Sequence, residues 1–587
     1  MGSAGDATHA RSPYAPDFGR IFFQILSPER PYVLLAIAYG VGVSLLSLAV
    51  PISVQMLINT VAYTGLAGQV GVLAFALFSL LLISGLLNAL RIHLMEIYGR
   101  RFYARIVAEI GARAVYARDP YFADSGRADL FNRYFDIVTV QKSAPELLVG
   151  GFTIILQAAV GFVVVSLYHP MFLVFNILFI IILWTIWAVW GRSAIRSGFA
   201  LSHAKYETGR WLQELGAANG FYRSDAQIAD ALRQTDEKTK AYVEEHKLHF
   251  RQTFSQVLAL LFLYAAASAA LLGLGGWLVI EGQLTLGQLV AAELILSAIF
   301  AGVAQLGTYL GSFYDLCAAI DELSLFFTFP LDEPKPDGEQ PGDPADLVFE
   351  QVHGVARGEH VVLNVSATAG ARLLACSHNH AVQRLFVNIL KRHEQPRSGW
   401  ITLGGVDISE LDPRAVRRDI VVLDRPSIVP GTMRDYIEKV AGAGVSANRI
   451  TDALRVTGLL NAVAMLPDGL DTEVQTTGWP LSSVETMQLK LAAAIVARPK
   501  VLILTQLFDM LPEDVIARSV DALQADCNAT VIYFSNRSST KGFDTYLYFG
   551  AGARAAAPPA EEFRTLAQRR FETDGADNRA AEPTEAV

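Results

Sequence analysis

The chain has 587 residues, of which 52% are hydrophobic and only 18% are charged. At about 150 residues per domain, it is long enough for more than one domain. The composition is too apolar for a disordered chain and indicates a membrane protein. The formal charge of −9 provides no basic footprint, so nucleic-acid binding is excluded. The three cysteines, Cys317, Cys376 and Cys527, lie far apart and predict neither a disulfide framework nor a zinc site.

Six apolar stretches fill most of residues 31–328, and each is long enough to cross about 30 Å of hydrocarbon as a helix. They cover residues 31–57, 71–96, 147–168, 170–191, 255–280 and 286–312. A polar segment, residues 1–30, precedes them, and no small-residue cleavage site follows a short apolar run. We therefore expect an uncleaved first span and a six-helix transmembrane domain.

Lysine and arginine are distributed unevenly among the connections between these stretches. Residues 97–146 and 192–254 are rich in them, whereas residues 60–70, 169–170 and 281–287 contain none. Basic residues collect on the cytoplasmic side of a membrane. The pattern predicts a multi-pass protein of the inner membrane with both termini in the cytoplasm. The basic connections have helical character over 107–117 and 226–246, so they are expected to extend the spans as stiff helices.

A proline-rich, charged linker over residues 329–346 separates this half from a region with a different residue pattern. From residue 347 to about 550, short β-branched runs alternate with helical ones, which predicts an α/β domain with a largely parallel sheet. The predicted strands cover 347–353, 360–365, 371–375, 401–403, 420–423, 501–504 and 530–534. The tail, residues 551–587, is rich in Ala, Pro, Glu and Arg and is predicted to be disordered.

This layout resembles a half-transporter of the ABC exporter family, and local segments carry the resemblance over most of the chain. The family-like segments are residues 120–122 with 126–133, 284–291, 399–407, 431–437 and 466–475. Residues 49–53 and 88–94 resemble more specifically the type I secretion and peptide-exporter branch. The resemblance implies a type I exporter-like domain of six transmembrane helices, followed by an α/β domain like that of P-loop NTPases. It also implies partners: a second copy as a homodimer or another ABC half-transporter, the lipid membrane and a periplasmic adaptor.

The position of the phosphate-binding loop does not have the residues of a P-loop. Such a loop needs glycines whose N–H groups surround the phosphates, a lysine for the β- and γ-phosphates and a hydroxyl on Mg²⁺. The family's glycines map onto Cys376, Asn379 and Ala381, its lysine onto Val382, and its hydroxyl positions onto Gln383 and Arg384. We therefore expect an α/β domain that lacks the P-loop.

The other catalytic positions that the resemblance assigns are altered as well. The Asp-Glu pair of Walker B maps onto Thr505 and Gln506, which removes the Mg²⁺ carboxylate and the base that positions water. The switch histidine maps onto Asn536, the Q-loop glutamine onto Asp424 and the adenine-stacking aromatic near Ala356. The ABC signature is replaced by Leu481, Ser482, Ser483, Val484 and Glu485. The sequence thus predicts no ATPase activity and no bound ATP or Mg²⁺.

Glu293 is the candidate residue for an intramembrane site, because a carboxyl in a span is costly unless it faces the bundle interior. Arg91, His93 and Glu96 are predicted to form an interfacial, snorkelling cluster at the end of the second span. His378 and His380 flank Asn379 and are interpreted as surface histidines rather than metal ligands.

Three functional hypotheses follow from these residues. The first is an ABC-transporter-like membrane protein that does not hydrolyse ATP and acts as an atypical transporter or as a regulatory subunit. The second is an ATP-driven exporter subunit for peptides or lipid-like substrates, with Arg384 or Lys391 as an unorthodox phosphate ligand. The third is a membrane receptor or scaffold that transports nothing.

Overall fold

The computed structural model describes residues 18–63, 67–118, 128–328, 330–332, 338–377, 379–537, 539, 541–549 and 555–577. The chain divides into two compact units, Met1–Leu331 and Asp332–Val587. We call them the membrane unit and the α/β unit. The division falls inside the predicted linker.

The membrane unit is helical throughout its described elements. Its helices are α1 (Phe18–Leu26), α2 (Arg30–Leu46), α3 (Ala49–Tyr63), α4 (Ala67–Tyr116), α5 (Asp136–Glu146), α6 (Phe152–Ser166), α7 (Pro170–Ala217), α8 (Asp225–Ile280) and α9 (Leu286–Ser324). A π-helical turn, Leu147–Gly151, joins α5 to α6. Together these helices form six segments long and apolar enough to cross a membrane, as predicted.

Three of these helices are much longer than a membrane is thick. The helices α4, α7 and α8 have 50, 48 and 56 residues, which corresponds to roughly 70–85 Å at about 1.5 Å per residue. Because the hydrocarbon core is about 30 Å thick, a large part of each must lie outside it. The prediction that residues 107–117 and 226–246 are helical extensions of the spans is confirmed for residues 107–116, which belong to α4, and for residues 226–246, which belong to α8.

Local sequence signals explain where α7, α8 and α9 begin. Pro170 occupies the first turn of α7, where its missing N–H is not needed. Ser224 and Gln227 form a capping box at the start of α8, and Thr285 and Gln288 form another at the start of α9. These side chains satisfy N–H groups that have no partner within the helix.

The helix α9 lies among the other spans and packs closely on two of them. A Cβ atom at Gly161 of α6 would lie 2.7 Å from Ile299 Cδ1 of α9. A Cβ atom at Gly275 of α8 would clash with Leu289 Cδ1 of α9. Glycine at these two positions therefore allows α6 and α8 to approach α9 closely.

The α/β unit contains twelve strands among its described residues. They are β1 (Leu347–Ala356), β2 (Glu359–Ala367), β3 (Arg372–Ser377), β4 (Ser398–Leu403), β5 (Val406–Asp407), β6 (Ile420–Leu423), β7 (Gly431–Thr432), β8 (Glu473–Val474), β9 (Val501–Leu504), β10 (Thr530–Phe534), β11 (Thr545–Phe549) and β12 (Ala555–Ala556). Its helices are α10 (His380–Leu390), α11 (Pro413–Asp419), α12 (Met433–Ala441), α13 (Ala447–Thr457), α14 (Leu460–Met465), α15 (Ser483–Ala497), α16 (Glu513–Cys527) and α17 (Ala560–Asp577).

The strands form two main sheets rather than one largely parallel sheet. A six-stranded sheet has the order β12-β11-β3-β10-β9-β6, and its strands from β11 to β6 are parallel. The strands β2, β1, β4 and β5 form a separate antiparallel sheet. The short connection between β1 and β2, residues 357–358, explains the difference, since a parallel pair needs a crossover of a dozen or more residues.

The C-terminal tail differs from the prediction of disorder over residues 551–587. Residues 560–577 form α17, and the side chains of Phe563 and Ala567 are buried in the core of the α/β unit. Their burial removes apolar surface from water and offsets the entropy cost of ordering a polar segment.

Candidate functional site

Several loops of the α/β unit emerge at one edge of its six-stranded sheet. The parallel strands β3, β6, β9 and β10 all end there, and the residues that follow them include Asp424, Thr505 and Ser535. Ligands of open α/β sheets bind outside the carboxyl ends of the strands. This edge is therefore the candidate site, and most of the sequence-predicted residues lie at it. His378 lies outside the described residues.

The turn between β3 and α10 is closed by its own side chains. Asn379 is the N-cap of α10, and its Oδ1 accepts a hydrogen bond from the Ala381 N–H at 2.9 Å. The Ser377 hydroxyl donates to the Asn379 carbonyl at 2.7 Å. The Ala381 N–H, which could otherwise bind an anion at this helix terminus, is therefore already hydrogen-bonded to Asn379.

The predicted phosphate-loop residues differ in exposure. Cys376, Val382 and Gln383 are buried, and Val382 packs in the hydrophobic core beneath the antiparallel sheet. Arg384 is exposed. Only Arg384 among these four presents a charge to solvent.

A cavity of about 270 Å³ lies beside the start of α10. Ala356, the position assigned to adenine stacking, lines it together with Arg357, His380, Arg384 and Glu394. Arg357 and Arg384 provide two guanidinium groups at the cavity, and Glu394 provides a carboxyl. The arginines therefore outnumber the carboxyl among the charged side chains of the cavity. The side chain of Ala356 is a methyl group and cannot stack on an adenine base.

The end of β9 has hydrogen-bonding side chains but no carboxylate. The Thr505 hydroxyl donates to the Leu423 carbonyl of the neighbouring strand β6 at 3.1 Å. The amide nitrogen of Gln506 is buried and has no hydrogen-bond partner among the described residues. Among the described residues, no group of three or more His, Cys, Asp or Glu side chains is arranged to hold a metal ion.

Asp509, which the sequence analysis did not identify, joins the loop after β9 to the loop after β10. Its carboxylate accepts hydrogen bonds from the Ser535 hydroxyl at 2.7 Å, from the Asn536 N–H at 2.9 Å and from the Tyr533 hydroxyl. Arg537 donates to the carbonyls of Asp509 and Leu511. Burial, with a contribution from the Asp509 charge, raises the pKa of the Tyr533 phenol. The switch position Asn536 is therefore held by Asp509.

Lys490 of α15 holds the loop that follows β6. Its ammonium group donates to the Ser427 carbonyl at 2.9 Å and to the Arg425 carbonyl. Burial lowers the pKa of Lys490 to about 8. Asp424, the Q-loop position, lies 3.9 Å from the Lys391 ammonium. The only sequence signal for the contact between Lys490 and the loop after β6 was the presence of a single lysine within the apolar run of α15.

The signature positions form the start of α15. Ser482 is its N-cap: Ser482 Oγ accepts from the Glu485 N–H at 3.3 Å, and Glu485 Oε2 accepts from the Ser482 N–H at 2.8 Å. Leu481 is buried, Ser483 is exposed, and the Val484 side chain is 38% exposed. The residues at this helix start thus form a capping box in place of a glycine-rich turn.

Two charged residues of the membrane unit, Glu293 and Arg91, each have a buried polar atom without a hydrogen-bond partner among the described residues. Ser297 donates to Glu293 Oε1 at 3.0 Å, whereas Glu293 Oε2 is buried and has no partner among the described residues. Arg91 is fully buried, and its guanidinium donates to the Thr153 hydroxyl at 2.5 Å and to the Leu148 carbonyl. The interpretation of Arg91 as a snorkelling interfacial residue is wrong, because α2 and the π-helical turn enclose it.

Comparisons with known proteins support the fold. No protein-family model matches the chain. It is 24% identical over 566 residues to the ABC multidrug transporter mdr2 of Aspergillus fumigatus, with 91% of this chain and 69% of mdr2 covered. It is 26% identical over 277 residues to the alpha-hemolysin translocation ATP-binding protein HlyB of Escherichia coli O157:H7, covering 46% of this chain and 39% of HlyB. A bacterial Atm1-family ABC exporter with ATP bound superposes with a TM-score of 0.77 at 17% identity, covering 94% of this chain and 100% of that structure.

The predicted fold is confirmed by these findings. The chain has the ABC exporter fold, with six long apolar helices and a C-terminal α/β domain, and its sequence relatives are ABC transporters.

Proposed function

We propose that this multi-pass, ABC-exporter-like protein does not hydrolyse ATP and acts as an atypical transporter or as the regulatory subunit of one. The observation that carries the proposal is the closed state of the loops at the candidate site. Asn379 caps α10, Asp509 binds the loop after β10, and Lys490 binds the loop after β6. The Ala381 N–H at the start of α10 and the Asn536 N–H at the switch position are thus already hydrogen-bonded within the protein.

The residues at this edge do not fit Mg²⁺ and ATP. Magnesium prefers carboxylate and other oxygen ligands together with substrate phosphates. The Walker A and Walker B positions offer the side chains of Thr505, Gln506, Gln383 and Arg384, none of which is a carboxylate. The carboxylate at the Q-loop position, Asp424, lies 3.9 Å from the Lys391 ammonium. Thr505 already donates its hydroxyl to Leu423. Gln506 provides an amide instead of a carboxylate, so the aligned position lacks the general base that the family has there.

The assembly and its orientation are part of the same proposal. We infer a homodimer, or a pair with another ABC half-transporter, in the inner membrane with both termini in the cytoplasm. The basic content of residues 97–146 and 192–254 supports this orientation. A periplasmic adaptor is a further proposed partner.

Without ATP hydrolysis, transport requires another energy source, and Glu293 supports a proton-coupled cycle. Its carboxyl lies in the α9 span with one oxygen buried and unpaired among the described residues. Ionisable groups inside a membrane span mark ion and proton pathways. Glu293 would accept and release the coupling proton.

The test is equilibrium binding of a fluorescent ATP analogue with Mg²⁺ to the full-length protein in lipid nanodiscs, followed by phosphate release from the same sample. We expect no saturable binding up to millimolar nucleotide and no phosphate release above that of empty nanodiscs. Micromolar binding with turnover would overturn the proposal. An ABC exporter with intact Walker motifs, reconstituted identically, is the positive control.

A second candidate function is a nucleotide-binding exporter subunit for peptides or lipid-like substrates. The cavity with Arg357 and Arg384 favours it, because two guanidinium groups there could bind phosphate oxygens. In this case Arg384→Ala would abolish analogue binding, whereas Arg518→Ala, at an exposed site on α16, would not. The third hypothesis, a receptor or scaffold, is supported instead if reconstituted vesicles show neither nucleotide binding nor proton-driven flux.

A further inference from the structure

A groove in the membrane unit, with a cavity of about 580 Å³, is lined almost entirely by apolar side chains. Its volume lies within the range of about 300–1,000 Å³ that is typical of ligand sites. Five helices and the π-helical turn line it, so it penetrates between spans. The lining residues include Phe23 of α1, Val33 of α2, Tyr98 of α4, Leu148 of the π-helical turn and Phe313 of α9. We call it the α1 groove.

The α1 groove lies where the apolar parts of its helices meet their charged continuations. On α4 the charged residues Glu96, Arg100 and Arg101 lie on either side of the lining residue Tyr98 in the sequence. On α9, Asp315 lies between the lining residues Phe313 and Leu316, and Asp321 and Glu322 follow Leu316 after about one and a half turns. A change from apolar to charged residues at the same level on several spans marks the boundary between hydrocarbon and headgroups. The groove therefore opens at headgroup level.

The lining of the α1 groove includes one full positive charge. Arg30, at the start of α2, lines the groove, is exposed and has no side-chain partner among the described residues. The adjacent acid, Glu29, does not compensate this charge, because Arg105 pairs with both of its oxygens at 2.9 Å. Arg101 lies over the ring of Tyr32, 5.3 Å from its centroid, which adds a second cation near the start of α2.

We propose that the α1 groove binds one anionic phospholipid, with an acyl chain along the apolar lining and the phosphate on Arg30. The apolar walls match the chain, and the uncompensated guanidinium matches the headgroup. A guanidinium can donate two parallel hydrogen bonds to a phosphate, which distinguishes an anionic phospholipid, whose headgroup has no cation of its own, from a zwitterionic one. The lipid would fill the space between α1 and the spans α2, α4 and α9.

The test uses the full-length protein in phosphatidylcholine nanodiscs that contain either phosphatidylglycerol or phosphatidylcholine with a photoreactive acyl chain. Cross-linked peptides are identified by mass spectrometry. We expect the phosphatidylglycerol probe to label peptides of α1, α2 and α5 at least tenfold more than the phosphatidylcholine probe. Arg30→Glu should remove this preference, and Arg30→Lys should retain part of it. The matched control is Arg192→Glu, an exposed arginine at the end of the apolar part of α7, which should leave the labelling unchanged.

Three outcomes would overturn the proposal. Equal labelling by the two probes in the wild-type protein would mean that the headgroup is not recognised. Equal loss in Arg30→Glu and Arg192→Glu would mean that only general surface charge matters. Competition by millimolar soluble glycerol phosphate would mean that the site is an anion site rather than a lipid site. Ala144→Trp, which fills the groove without changing charge, should lower labelling by both probes, and circular dichroism would verify that this variant is folded.

Discussion

The two units differ in how they pair their charged side chains. In the α/β unit, the Asp509 carboxylate accepts three hydrogen bonds and the Lys490 ammonium donates two. In the membrane unit, Glu293 Oε2 and Arg91 Nε are buried without a partner among the described residues. A buried polar group without a partner costs about 1–3 kcal/mol. The α/β unit also has buried amide atoms without a partner among the described residues, Gln383 Oε1 and Gln506 Nε2, so the contrast between the units concerns carboxylate and guanidinium groups.

The substitution with the largest expected effect is at Glu293, and it tests this comparison between the units. Glu293→Gln should reduce proton-driven flux at least tenfold, because an amide of nearly the same shape cannot carry the proton. The measurement is the rate of pH change inside proteoliposomes after an imposed gradient. Glu281→Gln, at an exposed turn after α8, is the matched control and should keep the wild-type rate. Equal rates in Glu293→Gln and Glu281→Gln would contradict a working role for Glu293.

The second prediction concerns the Asp509 contacts in the α/β unit. Asp509→Ala should lower the free energy of unfolding by about 3 kcal/mol, because the largely buried Tyr533 hydroxyl and Ser535 lose their acceptor. Denaturant unfolding of the full chain in detergent measures it, followed through the α/β unit. Asp514→Ala removes only an exposed ion pair with Arg518 and should cost at most about 1 kcal/mol. Similar costs for the two variants would show that Asp509 is not a structural junction.

The third prediction uses the pKa of Lys490, which burial lowers from the ordinary lysine range to about 8. In this range the unfolded chain binds the proton more tightly than the folded protein, so stability must rise with pH. The wild-type protein should therefore gain stability relative to Lys490→Met as pH increases from about 8 to about 10. Thermal unfolding of both proteins across this range measures the difference. Lys439→Met is the control at an exposed lysine. A stability difference between the wild-type protein and Lys490→Met that does not change with pH would contradict the prediction.

The smallest expected effect compares glycines on one helix. Gly275→Ala should destabilise the membrane unit by about 1 kcal/mol, because its Cβ would clash with Leu289 Cδ1 and force that side chain to move. Gly273→Ala and Gly276→Ala meet nothing within 4 Å and should be neutral. Thermal unfolding in detergent measures all three. Equal effects would indicate that α8 and α9 do not pack through Gly275.

The architecture of both units could be predicted from the sequence because it depends on local patterns. Mean hydropathy over about 20 residues identified the six spans, and the strands β6, β9 and β10 begin and end at the predicted residues. The candidate loops could be located as well, because they follow those strands along the chain. The arrangement of strands into two sheets could not, since it depends on which strands pair.

Pairing between distant residues could not be derived from residue type. Asp509 and Asn536 are 27 residues apart, and Lys490 and Ser427 are 63 apart, so no local spacing indicates that they meet. Arg91 was misinterpreted for the same reason: its position near the end of an apolar run is typical of a snorkelling residue, but α2 and the π-helical turn enclose it. The tail was misinterpreted because two buried side chains, Phe563 and Ala567, suffice to order an otherwise polar helix.

The sequence by itself determined that this chain has six stretches long and apolar enough to cross a membrane, that an α/β domain follows, and which side chains occupy the positions of the ABC motifs. These properties are set by hydropathy and by residue identity, and both are read directly along the chain. Only the tertiary structure decided that Asp509 and Lys490 hold the loops of the α/β unit, that Glu293 keeps an unpaired oxygen and that Arg30 lines an apolar groove. Hydrogen-bond satisfaction and burial depend on which distant elements pack together, and that packing is a property of the folded chain alone.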